Sequence, residues 1–435
     1  MKRNIEKYLI EWKNNNKRKP ILMRGARQVG KSWLVQNLSK EFKYFLEINF
    51  EENPQLIDIF SGSLDPEITT PLLANITGIE VIPGKTLVFL DEIQACPQAI
   101  IALRYFYEKM PDLHIIAAGS LIEFELEKVS TPVGRIDFLY IYPLSFSEYL
   151  IAIKKEKIYK WINEHDMHTP IPNVIHQELL INVRDYVLIG GMPEVVQEYI
   201  TTKNLEKCQN IQTSILNTYI SDFKKYTKKH ELKYLDIVFK ALPLQIGRKI
   251  KYSNINREVK SRDIISAINL LEKAGLVYKI YHSSCNGIPL EAQIDTRKFK
   301  IIFFDIGLTN KLLGTDLKKF ILNPDISQIA NGSISEAFVG LEIKKYQPSL
   351  SDYQLHYWHR EHKRSNAEVD YVIAKQSSIF PLEVKSGATG HLRSLKIFLT
   401  DKGVDKGIKI SQDNFSCFDN IQSIPFYAIE KFMKQ

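Results

Sequence analysis

The sequence ILMRGARQVGKSWLVQNLSKEF occupies residues 21–42 and joins three patterns in one order. The apolar run at 21–23 is typical of a buried strand, and the residues from 33 to 42 are typical of a helix. Between them, GARQVGKS at 25–32 fits the pattern G-x-x-x-x-G-K-[ST]. The amides of such a loop and the N-terminus of the following helix bind phosphate. The sequence therefore predicts a nucleotide-phosphate site on an α/β fold.

The residue types in this loop indicate binding of ATP and magnesium. Lys31 is expected to reach the β- and γ-phosphates during catalysis, and the Ser32 hydroxyl is expected to bind magnesium. Ser120 ends a strand-like run, LHIIAAGS, where it would sense the nucleotide or only cap a helix. The residues expected to contact the nucleotide are Gly25, Ala26, Arg27, Gln28, Val29, Gly30, Lys31, Ser32, Trp33 and Ser120.

A second apolar run, LVFL at 87–90, ends in two acidic residues. We expect Asp91 to hold magnesium at the carboxyl end of a strand and Glu92 to deprotonate the attacking water. Arg135 follows a glycine and is a candidate for stabilising the charge of phosphoryl transfer, in its own subunit or a neighbour's. A surface ion pair is the alternative for Arg135. Glu92 favours an ATPase over a nucleotide-binding scaffold without turnover.

The composition excludes several classes of protein. A chain of 435 residues is long enough for two or three domains. It contains neither an apolar run of about 18 residues nor the apolar middle of a signal peptide. Its four cysteines are scattered, which argues against a disulfide framework and a structural zinc. We therefore expect a cytoplasmic protein with no membrane partner.

The positive charge is concentrated in one segment. Residues 201–300 contain 19 Lys and Arg against 9 Asp and Glu, more than the net charge of +8 of the whole chain. Within this segment, 262–273 has helical apolar spacing, ends before Gly275, and precedes two strand-like runs. This order favours a winged helix-turn-helix that contacts nucleic acid, most simply DNA, through Lys251, Arg257, Lys260 and Arg262. The alternative is a winged-helix lid that reads no nucleic acid.

Ten short motifs follow one another along most of the chain. They are GARQVGKS, LVFLDEIQ, GS at 119–120, GR at 134–135, PLSF at 143–146, GGMPE at 190–194, FFDIGL at 303–308, SEAFVGLEI at 335–343, EVDYVI at 368–373 and LEVKSG at 382–387. This set resembles a widespread bacterial and archaeal family of AAA+-like P-loop ATPases. Its members carry a C-terminal domain of unknown function that is similar to PD-(D/E)XK nucleases. The resemblance implies that architecture and ATP binding.

The C-terminal part contains the pattern D-x12-E-x-K, formed by Asp370, Glu383 and Lys385. Two carboxylates on adjacent strands can bind magnesium, and Lys385 would position the attacking water or the phosphate. Glu336, on a preceding helix, would complete the metal shell. These four residues carry the resemblance to the nuclease core, and the expected reaction is phosphodiester hydrolysis. The alternatives are exposed ion pairs, or a domain that binds without cutting.

Three histidines lie near this pattern at a spacing of three, at positions 356, 359 and 362. The segment is more typical of a strand and loop than of a helix. We therefore expect His356, His359 and His362 at the surface or in contact with substrate, and not as zinc ligands.

Taken together, the patterns predict an α/β protein of three domains. They are an AAA+-like P-loop domain with a parallel sheet and a C-terminal helical segment at 1–220, a basic winged-helix domain at 221–300, and a mixed α/β, restriction-endonuclease-like domain at 301–435. The leading hypothesis is an ATPase acting on nucleic acid, with a magnesium-dependent nuclease gated by ATP. The rival is an ATP/ADP switch that gates a protein partner and has a silent nuclease-like domain. A homo-oligomer is compatible with both.

Overall fold

A computed structural model of the chain describes residues 1–120, 122–126, 134–226, 231–314, 332–360, 366–387 and 392–435. The protein divides into two compact units. Unit 1 contains Met1–Tyr142 with two short segments, Lys273–Gly275 and Pro348–Asp352. Unit 2 contains Pro143–Glu272, Leu276–Gln347 and Tyr353–Gln435. Among the described helices, none has the length and apolar character needed to cross a bilayer.

Unit 1 is built on a parallel sheet of five strands in the order β2-β3-β4-β1-β5. The strands are β1 (Ile21–Arg24), β2 (Tyr44–Asn49), β3 (Thr86–Asp91), β4 (His114–Ala118) and β5 (Asp137–Tyr140). Every residue of β3 and β4 is buried, as their continuous apolar sequences require of a sheet covered on both faces. The helices are α1 (Glu6–Asn14), α2 (Lys31–Ser39), α3 (Ile57–Gly62), α4 (Pro66–Thr77), α5 (Pro97–Lys109) and α6 (Ile122–Leu126). The predicted parallel sheet is confirmed.

Unit 2 begins with a run of helices and ends in a large mixed sheet. Its described helices are α7 (Phe146–Ala152), α8 (Glu156–Glu164), α9 (Asn173–Ile189), α10 (Pro193–Thr202), α11 (Leu205–Tyr226), α12 (Leu232–Ala241), α13 (Tyr252–Ile255), α14 (Ser261–Lys273), α15 (Ile306–Leu312), α16 (Gly332–Lys345), α17 (Arg393–Lys402) and α18 (Ile429–Lys434). Its strands are β6 (Val277–Ser283), β7 (Ile294–Phe303), β8 (Leu355–His359), β9 (Glu368–Lys375), β10 (Ser378–Lys385), β11 (Gly407–Ser411), β12 (Ser416–Phe418) and β13 (Ile421–Pro425).

The hairpin of β6 and β7 does not stand apart as the predicted wing. The sheet order is β12-β13-β11-β10-β9-β8-β6-β7, and β6 pairs with β7 on one side and with β8 on the other. The last five residues of β7 are buried. Elements further along the chain, among them α15 and α16, pack against this strand. The boundary predicted at residue 300 consequently falls inside a strand, and a separate winged-helix domain is not confirmed.

The helical segment predicted to belong with the P-loop domain lies in unit 2 instead. The turn between α9 and α10 explains this difference. The amide of Gly191 donates to the Asp305 carboxylate at 2.7 Å, and the amide of Leu144 donates to the Gly191 carbonyl, also at 2.7 Å. The other Asp305 oxygen caps α15 by accepting from the amide of Leu308 at 3.0 Å. Because buried polar groups require such partners, these bonds fix residues 143–226 to the C-terminal elements.

We expect Gly191→Ala to destabilise unit 2. A methyl group at this position would lie 2.1 Å from the carbonyl oxygen of Leu144, which is backbone and cannot turn away. Such overpacking costs about 1–3 kcal/mol or more. Urea denaturation of the full chain measures the change, with Gly332→Ala as the matched control, since a methyl group there meets no atom within 4 Å. Equal stability of the two variants would contradict the prediction.

Candidate functional site

The loop between β1 and α2 has the backbone that a phosphate site requires. Gly25 has φ +142°, and a methyl group there would lie 2.1 Å from the carbonyl oxygen of Ile141. Gly30 has φ +96° and is the N-cap of α2. Both positions therefore depend on glycine, one for space and both for conformation. The strand, loop and helix predicted around the motif are all present.

The Lys31 side chain is buried and folds back over this loop. Its Nζ donates to the carbonyl oxygens of Gly25 and Ala26, each at 2.9 Å. Burial lowers the pKa of Lys31 to about 8, although the nearby carboxylates of Glu92 and Asp91 oppose this change. Among the residues that the structure describes, no carboxylate lies within hydrogen-bonding distance of the ammonium, which suits it to an anion that enters the loop.

The two predicted magnesium ligands are in direct contact. The Ser32 hydroxyl donates to Asp91 Oδ2 at 2.7 Å, which joins the first turn of α2 to the end of β3. The other oxygen, Asp91 Oδ1, accepts from the amide of Glu92 at 3.0 Å. A hydroxyl and a carboxylate at the carboxyl end of a buried strand are suitable oxygen ligands for magnesium beside bound phosphates.

Glu92 is held by a neighbour that the sequence analysis did not single out. Gln94 Nε2 donates to Glu92 Oε2 at 2.6 Å, and Glu92 itself has a left-handed backbone with φ +49°. Gln94 also lies against the end of the next strand, since a methyl group at Gly119 would be 2.3 Å from its Oε1. The available signal was the polar residue two positions after Glu92 in LVFLDEIQ.

The other residues predicted to contact the nucleotide differ in their exposure to solvent. Ala26 and Val29 are buried in the loop, while Arg27 is half-buried and Gln28 is exposed with φ +63°. Trp33 is 42% exposed on the first turn of α2, and Ser120 follows the end of β4.

Arg135 forms a surface ion pair, which was the alternative to a catalytic role. Its Nε lies 3.0 Å from Glu108 Oε1, and its side chain is 45% exposed. Hydrogen bonds from Arg135 and then Arg104 lower the pKa of Glu108. A role for Arg135 in catalysis stays a prediction.

The low pKa of Lys31 predicts that ATP affinity depends on pH. The ammonium is charged below pH 8 and loses its proton as the pH rises through about 8, so binding of the anionic phosphates should weaken above that value. One linked proton gives a fall of up to about tenfold per pH unit. Titration with ATP and magnesium between pH 6.5 and 9.5 measures the effect.

The control is Lys31→Arg, because a guanidinium keeps its charge over this range. That variant should bind ATP more weakly but with little change in affinity between these pH values. An equally steep fall in both proteins would assign the pH dependence to another group.

The carboxylates of the C-terminal pattern meet at the point where two strands of unit 2 separate. Asp370 is on β9 and Glu383 on β10, which pair antiparallel up to Leu382 and Tyr371. Beyond that pair, the amide of Val384 donates to Asp370 Oδ2 at 2.8 Å. Burial, followed by the charge of Asp370, raises the pKa of Glu383.

Lys385 lies beside Glu383 as predicted, whereas Glu336 does not complete a metal shell. Lys385 Nζ lies 2.7 Å from Glu383 Oε1, and its side chain is half-buried. Glu336 is buried on α16, where burial raises its pKa. In the described part of the chain, however, no three His, Cys, Asp or Glu side chains are grouped so that they could hold one metal ion. The predicted metal shell of three carboxylates is therefore not formed.

The reason is Lys300, which the sequence analysis missed. Its ammonium is fully buried and lies 2.7 Å from Glu336 Oε1 and 2.8 Å from Glu368 Oε1. Burial alone would lower the pKa of Lys300, but Glu336, Asp370 and Glu368 together raise it well above its ordinary value. A lysine inside the apolar run KIIFF at 300–304 was the available signal. We call Glu336, Glu368, Asp370, Glu383, Lys300 and Lys385 the carboxylate centre.

One half of the carboxylate centre fits a divalent cation. Glu383 Oε2 is buried and has no hydrogen-bond partner in the described residues. Asp370, beside it, accepts from the amide of Val384 at 2.8 Å. Two carboxylates with an orphaned buried oxygen are a donor set that magnesium or manganese prefers.

A basic segment packs against the same centre. A methyl group at Gly247 would lie 3.1 Å from Glu336 Oε2, and Lys249 Nζ lies 3.3 Å from Glu368 Oε2. The neighbouring side chains of Arg248 and Lys251 are exposed, and no acidic partner is found for them within the described ranges. Further along, Arg257, Lys260 and Arg262 are also exposed. We call residues 247–262 the basic segment.

The two described histidines of this group differ in exposure. His356 is buried in β8, where burial lowers its pKa, and His359 is half-buried. His362 lies outside the described residues.

The sheet, the loop and the Ser32–Asp91 contact define unit 1 as a P-loop domain of the ATPase class. In agreement, residues 17–150 match the model of a family described as an AAA domain. Residues 181–319 and 331–428 match the models of two domains of unknown function, DUF8612 and DUF4143. No curated protein matches the chain.

Solved structures resemble the chain at low sequence identity. A Walker-type ATPase of Pyrococcus abyssi is 16% identical over 71% of this chain and 94% of that one, with a TM-score of 0.46. The Orc1 protein of Aeropyrum pernix, in complex with DNA, is 11% identical over 73% and 92%, with a TM-score of 0.29. A STAND protein with a tetratricopeptide repeat sensor from Pyrococcus horikoshii is 12% identical over 78% and 45%, with a TM-score of 0.26.

Proposed function

We propose that the protein hydrolyses ATP and acts on nucleic acid, with cleavage of phosphodiester bonds at the carboxylate centre under the control of ATP. The single observation that carries the proposal is the contact of the basic segment with the carboxylate centre. Gly247 lies against Glu336 and Lys249 against Glu368, while Arg248 and Lys251 point their charge to solvent. A polyanion bound by these exposed cations would lie beside the carboxylates.

For ATP hydrolysis, each residue of the loop has a distinct part. Lys31 neutralises the β- and γ-phosphates, and Ser32 with Asp91 would hold magnesium. When bound there, magnesium supplies charge neutralisation on the phosphates. Glu92 accepts the proton of the attacking water, and Gln94 orients Glu92 through its bond of 2.6 Å.

For cleavage of nucleic acid, Asp370 and Glu383 would hold magnesium, which supplies a Lewis acid at the scissile phosphate. Lys385 lies 2.7 Å from Glu383 and would position the attacking water or steady the phosphate. Arg248 and Lys251 would bind phosphates of the backbone, which fixes the substrate without reading its sequence.

Phosphate release from ATP and magnesium, with and without short DNA and RNA, tests the proposal. We expect release to rise with nucleic acid and to be lost in Lys31→Ala and Glu92→Gln, because these remove the phosphate-binding charge and the base. Loss of a general base costs about 10²–10⁴-fold in rate. Gln94→Ala should lower kcat more than it raises KM for ATP, since Gln94 acts through Glu92.

The same reactions, run on a gel, test cleavage. Asp370→Ala should abolish cutting while leaving phosphate release intact, because the two sites use separate carboxylates. Release without any response to nucleic acid, on an uncut gel, would count against the proposal.

The salt dependence of binding tests the basic segment. Arg248→Gln and Lys251→Gln should each weaken DNA binding and reduce the slope of log K against log salt by about 0.9, as expected when one phosphate contact is lost. Lys160→Gln is the control, since Lys160 is exposed on α8 but paired with Glu164 at 3.7 Å. Equal slopes in all variants would exclude the basic segment as the contact surface.

A second function is favoured by one observation, the buried ammonium of Lys300 in the carboxylate centre. A centre partly neutralised from within suits a domain that has lost cleavage. In that case the protein is a slow ATPase whose ATP and ADP states gate a protein partner. It would then show weak basal release, an uncut gel, and a rate that depends on the partner.

A further inference from the structure

Lys300 divides the carboxylate centre into two halves. Its backbone is fixed by the ladder of β6 and β7, where it pairs with Ile280. The ammonium lies 2.7 Å from Glu336 and 2.8 Å from Glu368, and the ring of Tyr357 is 5.2 Å from it. A buried ammonium with two carboxylates and an aromatic ring is fully satisfied, so no polar demand is left on that side.

Glu336 is committed to Lys300 through one of its oxygens. Oε1 accepts from Lys300 at 2.7 Å, and a methyl group at Gly247 would lie 3.1 Å from Oε2. The helix carrying Glu336 is also fixed, since the Tyr371 hydroxyl donates to the Glu336 carbonyl at 2.8 Å. Separating a buried carboxylate from its ammonium partner is costly, so a metal ion entering from solvent would not displace Lys300.

Asp370 and Glu383, unlike Glu336, are not bonded to the Lys300 ammonium in the described residues. Glu383 is 5% exposed, and its Oε2 has no partner within the described part of the chain. In the described ranges, neither carboxylate is bonded to Lys300, and Lys385 bonds to Glu383 Oε1 at 2.7 Å. This half of the centre therefore keeps an unused acceptor oxygen.

We propose that Lys300 is a resident cation that permanently fills the Glu336–Glu368 half of the centre, so that the protein binds a single divalent cation through Asp370 and Glu383. Glu336 is then a partner of Lys300 and not a metal ligand. The inference rests on the metal site of the proposed function, but it does not require that nucleic acid be cut.

Manganese binding to the full chain, without nucleotide, tests the proposal by calorimetric titration and by the melting temperature in Mn²⁺ against a chelator. The key variant is Lys300→Met with Glu336→Gln, which removes one charge of each sign and keeps the net charge of the centre. We expect this variant to bind one Mn²⁺ and its affinity to change by less than about tenfold. A change of about tenfold or more is typical when a residue that directly supports a metal ligand is lost. The double variant Asp370→Asn with Glu383→Gln should lose this binding. Any Mn²⁺ that it still binds measures binding elsewhere on the chain.

Lys300→Met alone gives a result of the opposite sign. It frees Glu336 and Glu368, so we expect tighter Mn²⁺ binding and a larger rise of the melting temperature with Mn²⁺ than in the unchanged protein. The charge-neutral double variant keeps the test decisive if this single variant fails to fold. Loss of Mn²⁺ binding in the charge-neutral variant, or two bound ions or none in the unchanged protein, would overturn the proposal. Cleavage is not part of these readouts, so an uncut gel with one bound Mn²⁺ would refute only the proposed nuclease.

Discussion

The carboxylate of Asp305 is the buried charge on which unit 2 is organised. Burial raises its pKa, whereas Lys345 and the amides of Leu308 and Gly191 act in the opposite direction. The two amides come from segments more than a hundred residues apart, so one side chain holds the turn after α9 and the start of α15 together. Lys345, at the end of α16, also donates to the Tyr186 hydroxyl at 2.7 Å, which links α16 to α9. The helix that carries Glu336 is thereby held in place far from the centre it serves.

Two buried lysines show how the surroundings decide what the same side chain can do. Lys31 bonds to two carbonyl oxygens, and burial lowers its pKa to about 8, so its charge is weakly satisfied and open to phosphate. Lys300 bonds to two carboxylates, which raise its pKa despite complete burial. The first lysine is suited to bind an incoming anion. The charge of Lys300 is already balanced, so this lysine is suited to a structural position between its two carboxylates.

The parts of this molecule that the sequence predicts well are those made by neighbours along the chain. The phosphate site needs one strand, a loop of six residues and one helix in succession, and the pattern at 25–32 therefore predicts its structure directly. The contact of Ser32 with Asp91 also follows, because parallel strands bring their carboxyl ends to one edge. Lys300 stands out in KIIFF, but its partners Glu336 and Glu368 are distant in sequence, as are the strands β6 and β8 that pair. The compact units differ from the predicted domain bounds for the same reason, since the bonds of Asp305 and Leu144 join segments that are distant in sequence.

The division into two units has a consequence for inheritance. The chain leaves unit 1 after Tyr142, returns for three residues at Lys273–Gly275 and again for five at Pro348–Asp352, and ends in unit 2. Neither unit is a continuous stretch of gene. Recombination that exchanged residues 1–220 with a relative would split the buried bonds between Gly191 and Asp305, and one that exchanged 301–435 would cut through β7. We therefore expect homologous genes to have acquired or lost both units together.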